Sequence, residues 1–133
     1  MLGIVLVAHN DFAESIKQVA EHVVGPLKDV ECISVLPKDD IELKRKEIQK
    51  AIKKVNKKDG VVLLTDMFGG TPSNLAVSLM EEKKVEVISG MNLPMLVKLL
   101  RMRKKLLSEA VEAAAEAGQH YIVVASDLLE KRR

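Results

Sequence analysis

An imidazole, a carboxylate and a glycine-rich turn are the residues of this chain best suited to chemistry. His9 closes the apolar run Leu2-Gly3-Ile4-Val5-Leu6-Val7-Ala8, and Asp66 closes a second run, Val61-Val62-Leu63-Leu64-Thr65. A neutral imidazole is a nucleophile: one ring nitrogen can take a phosphoryl group while the other keeps its proton. A carboxylate accepting a hydrogen bond from that protonated nitrogen would fix the tautomer and stabilise the charge that grows on the ring. Asp66 is followed by Met67-Phe68-Gly69-Gly70-Thr71-Pro72-Ser73-Asn74. Gly69 and Gly70 can adopt positive φ and turn consecutive N–H groups into one concavity. Thr71 is expected to cap the next helix and Pro72 to open it, so unpaired N–H groups and the Thr71 hydroxyl would face an anion there. These parts suit phosphoryl transfer, which depends mainly on alignment and charge stabilisation.

Each part alone has a simpler reading. A lone histidine at a strand end is more often structural, Gly-Gly-Thr-Pro is usually a plain strand-to-helix turn, and an aspartate closing a strand is commonly a turn residue. Only their coincidence at one sheet edge gives them weight. His22 and His120 read as surface residues, and histidines so scattered have no zinc spacing, so no metal is expected. No cofactor is expected either, since a G-x-x-x-x-G-K-[ST] loop and a strand-linked G-x-G-x-x-G are both missing from the sequence.

The elements that must bring these residues together alternate along the chain. The runs ending in His9 and Thr65 are continuously apolar, as in central strands of a parallel sheet covered on both faces. In such sheets ligands collect beyond the carboxyl ends of the strands. Asp11 and Glu14 have capping-box spacing for a helix that buries Phe12, Ile16, Val19 or Ala20, and Val23 and ends at Gly25-Pro26. A strand over about Val30–Leu36 follows, then a helix from the Asp39-Asp40 caps to Val55 with a solvated lysine face. Further helices are expected over about Pro72–Met80, Met95–Met102 and Lys104–Ala117, the last stopped by Gly118. Further strands are expected over Val85–Ile88 and Tyr121–Ala125. The expected fold is an α/β single-domain three-layer sandwich spanning residues 1–133. Its central sheet is mostly parallel with helices on both faces, and the fifth strand can lie antiparallel at the edge.

Composition narrows the function classes. Lys plus Arg total 21 against 19 Asp plus Glu, a formal net charge of +2, with two Phe, one Tyr and no Trp. That balance lacks the basic excess and stacking aromatics of a nucleic-acid binder. The single cysteine, Cys32, excludes a disulfide framework within the chain and fits a cytoplasmic protein. No signal-peptide pattern opens the sequence, and no apolar stretch approaches the ~20 residues of a membrane helix.

Three segments together resemble a known family: Ile4-Val5-Leu6-Val7-Ala8-His9, Asp66 through Asn74, and Gly90-Met91-Asn92-Leu93-Pro94-Met95-Leu96. They resemble the enzyme IIA domains of the mannose class of the bacterial sugar phosphotransferase system, over essentially the whole chain. The resemblance implies a phosphohistidine carrier, charged by the phosphocarrier protein HPr and discharged to a histidine of a IIB protein. The membrane would be involved only indirectly, through a IIC/IID permease. It also implies that His9 is phosphorylated on Nε2, that Asp66 holds Nδ1, and that Gly69, Gly70 and Thr71 surround the phosphoryl group. Phe68, Met91, Asn92 and Leu93 would contribute to the docking surface, and a homodimer would form in which the last strand can pair with the partner's sheet. Asn10 and Phe68 stand where many relatives carry glycine or serine and tryptophan. The chain stops soon after the expected fifth strand, so IIB is expected to be a separate protein.

Two alternatives stand beside the carrier. A stand-alone regulatory domain could signal phosphorylation state with no sugar downstream, and related domains serve as phosphotransfer subunits of dihydroxyacetone kinases. A nucleotide- or flavin-binding module ranks last, because fold alone argues for no ligand.

Overall fold

The computed structural model describes residues 1–131. Four parallel strands, β1 (Gly3–His9), β2 (Val30–Val35), β3 (Val61–Thr65) and β4 (Val85–Ser89), form one sheet in the order β2-β1-β3-β4. The helices are α1 (Phe12–Val24), α2 (Ile41–Val55), α3 (Thr71–Val77), α4 (Leu93–Arg101), α5 (Leu107–His120) and α6 (Ala125–Lys131).

The period-two geometry of a strand explains why β1 is apolar throughout. Leu2, Ile4, Leu6 and Ala8 pack toward α1, α4 and α5, with Val62, Leu64, Leu96, Leu99, Ala110 and Ala114. Val5 and Val7 pack the other way, toward α2 and α3, with Leu63, Ile48, Ala51, Val55, Leu75 and Ala76. Both faces are covered, so no position in the strand can be polar without cost. Each fully buried Leu or Val contributes roughly 2 kcal/mol.

At the amino ends of the strands, Arg103 is buried and clamps the chain together. Its guanidinium donates to the carbonyls of Leu2 (2.9 Å), Lys28 (2.6 Å) and Asp29 (3.0 Å), while Leu2 N–H returns a bond to the Arg103 carbonyl. Burial pushes its pKa below the ordinary arginine value, against the pull of Asp29.

Several local expectations are corrected. Asp11 occupies the N-cap of α1 without a side-chain capping bond, so the Asp11–Glu14 box does not form. Ala13 and Ala20 are the fully buried residues of α1, and Phe12, Val19 and Val23 are exposed, because short side chains let the helix lie close to the sheet. The N-cap of α3 is Gly70, and Thr71 is already helical. Asn92 caps α4 two residues ahead of the expected start, accepting from Met95 N–H at 3.1 Å. Gly118 does not stop α5 but lies buried inside it, where a Cβ would come within 2.9 Å of Met95 Cε. Its missing side chain lets α5 pack against the start of α4, and Asn92 Nδ2 seals the contact by donating to the Gly118 carbonyl at 2.9 Å.

The largest correction concerns Tyr121–Ala125, which forms no strand. Tyr121 through Val124 is non-helical and exposed, and α6 begins at Ala125. Tyr121 borders a groove with Val23, Leu93, Pro94 and Val97, on the helical layer and away from a sheet edge. β-propensity expresses itself only where a neighbouring strand offers hydrogen bonds, and among the described residues no strand lies beside this segment.

Candidate functional site

Two strand ends and one helix start converge on His9. Residues 5 and 7 of β1 face α2 and α3, and His9, the last residue of β1, continues that row toward the start of α3. Parallel pairing sets Val7 opposite Thr65, so the residue after β3, Asp66, arrives beside the end of β1. One carboxylate oxygen, Oδ2, accepts from both the backbone N–H of His9 (2.9 Å) and its ring Nδ1 (2.8 Å). The other, Oδ1, accepts from Met67 N–H at 3.0 Å. Burial raises the Asp66 pKa, but the bonds from His9 backbone and ring, with the attraction of its charge, outweigh that and hold it below the ordinary carboxylate range.

This geometry decides the tautomer. An ionised carboxylate can only accept, so Nδ1 carries a ring proton, and in the neutral ring Nε2 is the nitrogen with the free lone pair. The His9 side chain is 48% exposed, so Nε2 is open to an incoming group. Across the ring lies Gly70, with an extended φ of −78°. A Cβ placed there would sit 3.1 Å from His9 Cε1 and 3.6 Å from Nε2, so the glycine is what lets the loop approach the nucleophilic edge. Gly69 supplies the left-handed turn, at φ +91°. Thr71 is exposed, and its hydroxyl makes no hydrogen bond among the described residues.

Of the expected docking residues, the structure leaves Phe68 outside, 79% exposed beside Asp66, with Met67 also exposed. Met91 is a core residue, 5% exposed, and the Asn92 side chain caps α4. Leu93 is half-buried against the core. Gly90 turns the chain back so that Met91 N–H bonds the Thr65 carbonyl at 2.9 Å and its side chain points inward. Among the described residues no group of three His, Cys, Asp or Glu side chains could hold a metal ion. Burial, and then nearby Glu14, pushes the Cys32 thiol up to about 12, which keeps it protonated and unreactive.

Sequence reasoning missed the residues behind this frame. Thr65 and Ser73 are fully buried polar side chains that bond Ser89, and a hydroxyl closing the otherwise aliphatic β3 was the only signal for them.

Comparison with known proteins is consistent along nearly the entire chain. The family model for the fructose IIA component of the PTS system matches residues 3–116. The chain belongs to the mannose-class enzyme IIA family. It is 27% identical to a PTS system fructose-specific EIIA component of Bacillus subtilis, covering 98% of this chain and 91% of that protein. It is 32% identical to the PTS system mannose-specific EIIAB component of Escherichia coli K12 over 89% of this chain, and spans only 38% of that longer protein. A crystal structure of phosphotransferase system component EIIA from Streptococcus agalactiae superposes with a TM-score of 0.86 at 27% identity, covering 96% of this chain and 99% of that one. As a IIA-family protein it has a phosphotransfer role within the sugar phosphotransferase system. No helix among the described residues is long and apolar enough to cross a membrane.

Proposed function

We propose that this IIA protein carries a phosphoryl group on Nε2 of His9, taken from phosphorylated HPr and delivered to a IIB domain for sugar uptake, in the cytoplasm. The observation that carries the proposal is the 2.8 Å bond between Nδ1 and Asp66, which makes Nε2 the lone-pair nitrogen of the neutral ring on a side chain that is half exposed. The Nε2 lone pair attacks phosphorus in line with the bond to the donor histidine nitrogen. The new N–P bond forms as the old one breaks, and the electron pair of the broken bond returns to the donor ring. In the neutral ring no proton must leave Nε2. The positive charge that spreads over the His9 ring is balanced by the Asp66 carboxylate already in contact with it. Gly69, Gly70 and Thr71 would surround the phosphoryl oxygens, with amides on one side and the uncommitted Thr71 hydroxyl on the other. Transfer onward is the same displacement run in reverse onto an acceptor imidazole.

Exposed Phe68, with Leu93 further back, would form part of the surface on which the phosphoryl partners dock. The exposed apolar run Tyr121–Val124, with Leu128 and Leu129 after it, favours a homodimer in which a second copy covers it. Sedimentation of the protein at micromolar concentration tests the dimer, and a monomer throughout refutes it.

Incubation with phosphorylated HPr tests the carrier directly. The protein should take up one phosphoryl group in an acid-labile, base-stable linkage, and His9→Ala should take up none. Labelling of the His9→Ala protein would end the assignment.

A further inference from the structure

Beneath the site lies a row of hydroxyls that the transfer chemistry itself does not use. Thr65 Oγ1 donates to Ser89 Oγ at 2.7 Å, and Ser89 Oγ shares a second hydrogen bond with Ser73 Oγ at 2.9 Å. Thr65 and Ser73 are fully buried. Thr65 and Ser89 are direct register partners at the last paired position of β3 and β4. The Thr65 carbonyl is equally committed, accepting from Gly90 N–H at 3.0 Å and Met91 N–H at 2.9 Å.

The placement of these three residues matters more than their satisfaction. Thr65 immediately precedes Asp66, the support on the Nδ1 side of the His9 ring. Ser73 lies in the first turn of α3, just after Gly70 and Thr71 on the Nε2 side. The stretch between them, residues 66–72, contains the flexible Gly69-Gly70 pair and the exposed Met67 and Phe68. The ends of this loop are bonded locally, Met67 N–H to Asp66 Oδ1 at 3.0 Å and Asn74 N–H to the Gly70 carbonyl at 2.9 Å, while its middle is spanned by two longer bonds, Gly70 N–H to the Met67 carbonyl and Asn74 Nδ2 to the Gly69 carbonyl, both at 3.4 Å. Ser89 instead ties both of its bases to one oxygen.

We propose that Thr65, Ser89 and Ser73 are positioning residues: a buried hydroxyl staple that sets the gap between Asp66 and Gly70 and so holds the His9 ring aligned for transfer. This rests on the carrier function proposed above. Rigid spacing on both sides of a nucleophile is worth rate and little affinity, since a displaced ring still binds its partner but meets phosphorus off line. The staple acts on the ring through its supports and touches neither donor nor acceptor protein.

Thr65→Val tests it, because the change replaces the hydroxyl by a methyl of similar size and leaves the Ser89–Ser73 pair intact. Single-turnover transfer from phosphorylated HPr should lose about ten-fold in kcat with KM within about two-fold. The ¹⁵N resonances of the His9 ring should shift, and Thr65→Ser should restore both. Ser73→Ala cuts the other end and should reproduce the loss; it also serves should Thr65→Val not fold. Thermal midpoints, measured alongside, separate a loss of folded protein from a loss of alignment. Wild-type kcat and ring resonances in the folded variants, while His9→Ala stays unlabelled, would overturn the staple and leave the carrier standing. So would a Thr65→Ser protein that stays slow, since packing and not the hydroxyl would then be responsible. A wild-type protein that takes up no phosphoryl group would remove the carrier, and the staple with it.

Discussion

Gly70→Ala isolates the closest approach in the site. The backbone there is extended at φ −78°, so alanine fits the conformation without left-handed strain. The added methyl would stand 3.1 Å from His9 Cε1 and 3.6 Å from Nε2, whereas carbon atoms prefer about 3.5–4.0 Å. Relief therefore needs a displacement of about half an ångström. The ring cannot yield freely, because Nδ1 is held to Asp66 at 2.8 Å. Either that bond lengthens or the loop moves outward, and in both cases the nucleophilic nitrogen loses its alignment. Misplacement on this scale should slow transfer by about ten- to a hundred-fold, while the poorer N-cap costs about 1 kcal/mol of stability. The assay is rapid-quench phosphoryl uptake from phosphorylated HPr, with urea unfolding of the same preparations. Gly69→Ala is the informative contrast: its φ is +91° and nothing lies within 4 Å of the new methyl. It should cost about 1 kcal/mol in backbone strain and leave the bond from Nδ1 to Asp66 unchanged by NMR. Uptake by Gly70→Ala within about two-fold of wild type would refute the steric argument.

Asp66→Asn keeps an oxygen near Nδ1 but removes the charge, so transfer should fall by about ten-fold or more, each factor of ten being about 1.4 kcal/mol of barrier. The same variant tests a pH effect. Because folding lowers the Asp66 pKa, its contribution to stability is complete above the usual aspartate range near ~3.9 and is lost as pH falls through the lowered value. Urea midpoints should therefore fall less steeply with acid below about pH 4 in Asp66→Asn than in wild type; parallel curves would refute it. Thr71→Ala should slow transfer yet leave stability within about 0.5 kcal/mol, because Thr71 is not the helix cap; a loss of a full cap's worth, about 1 kcal/mol, would contradict the structure. Arg103→Met strands the carbonyls of Leu2, Lys28 and Asp29 and should cost about 3 kcal/mol, or roughly 10 °C in Tm by calorimetry, with transfer per folded molecule unchanged.

The nearness of His9 and Asp66 could be read from the sequence because two continuously apolar strands of a parallel sheet leave little choice of where their next residues go. Val5 and Leu6 announce burial on both faces by type alone. Features that depend on a partner distant in sequence were not readable. Tyr121–Val124 has the composition of a strand, but no local pattern says whether a neighbour will be present. Arg103 sits in the run Arg101-Met102-Arg103-Lys104-Lys105, where a buried cation looks like its solvated neighbours. Thr71 is a cap by type, yet Gly70 takes that place at α3, where the His9 ring from another strand leaves little room for a side chain. Met91 and Asn92 lie in a segment that resembles the family's, but resemblance does not tell which of its side chains turn inward. Ser89 is one hydroxyl among many until the sheet register sets it opposite Thr65.

Because every strand points the same way, the molecule has two poles with separate duties. The guanidinium clamp and the ion pair between the Met1 amine and Asp59 secure one pole, while the imidazole works at the other. The seven residues of β1 keep them about 23 Å apart, farther than the distance within which substitutions usually influence one another. Mutations that toughen the first pole can thus be accumulated in a laboratory lineage while turnover at the second is tuned independently.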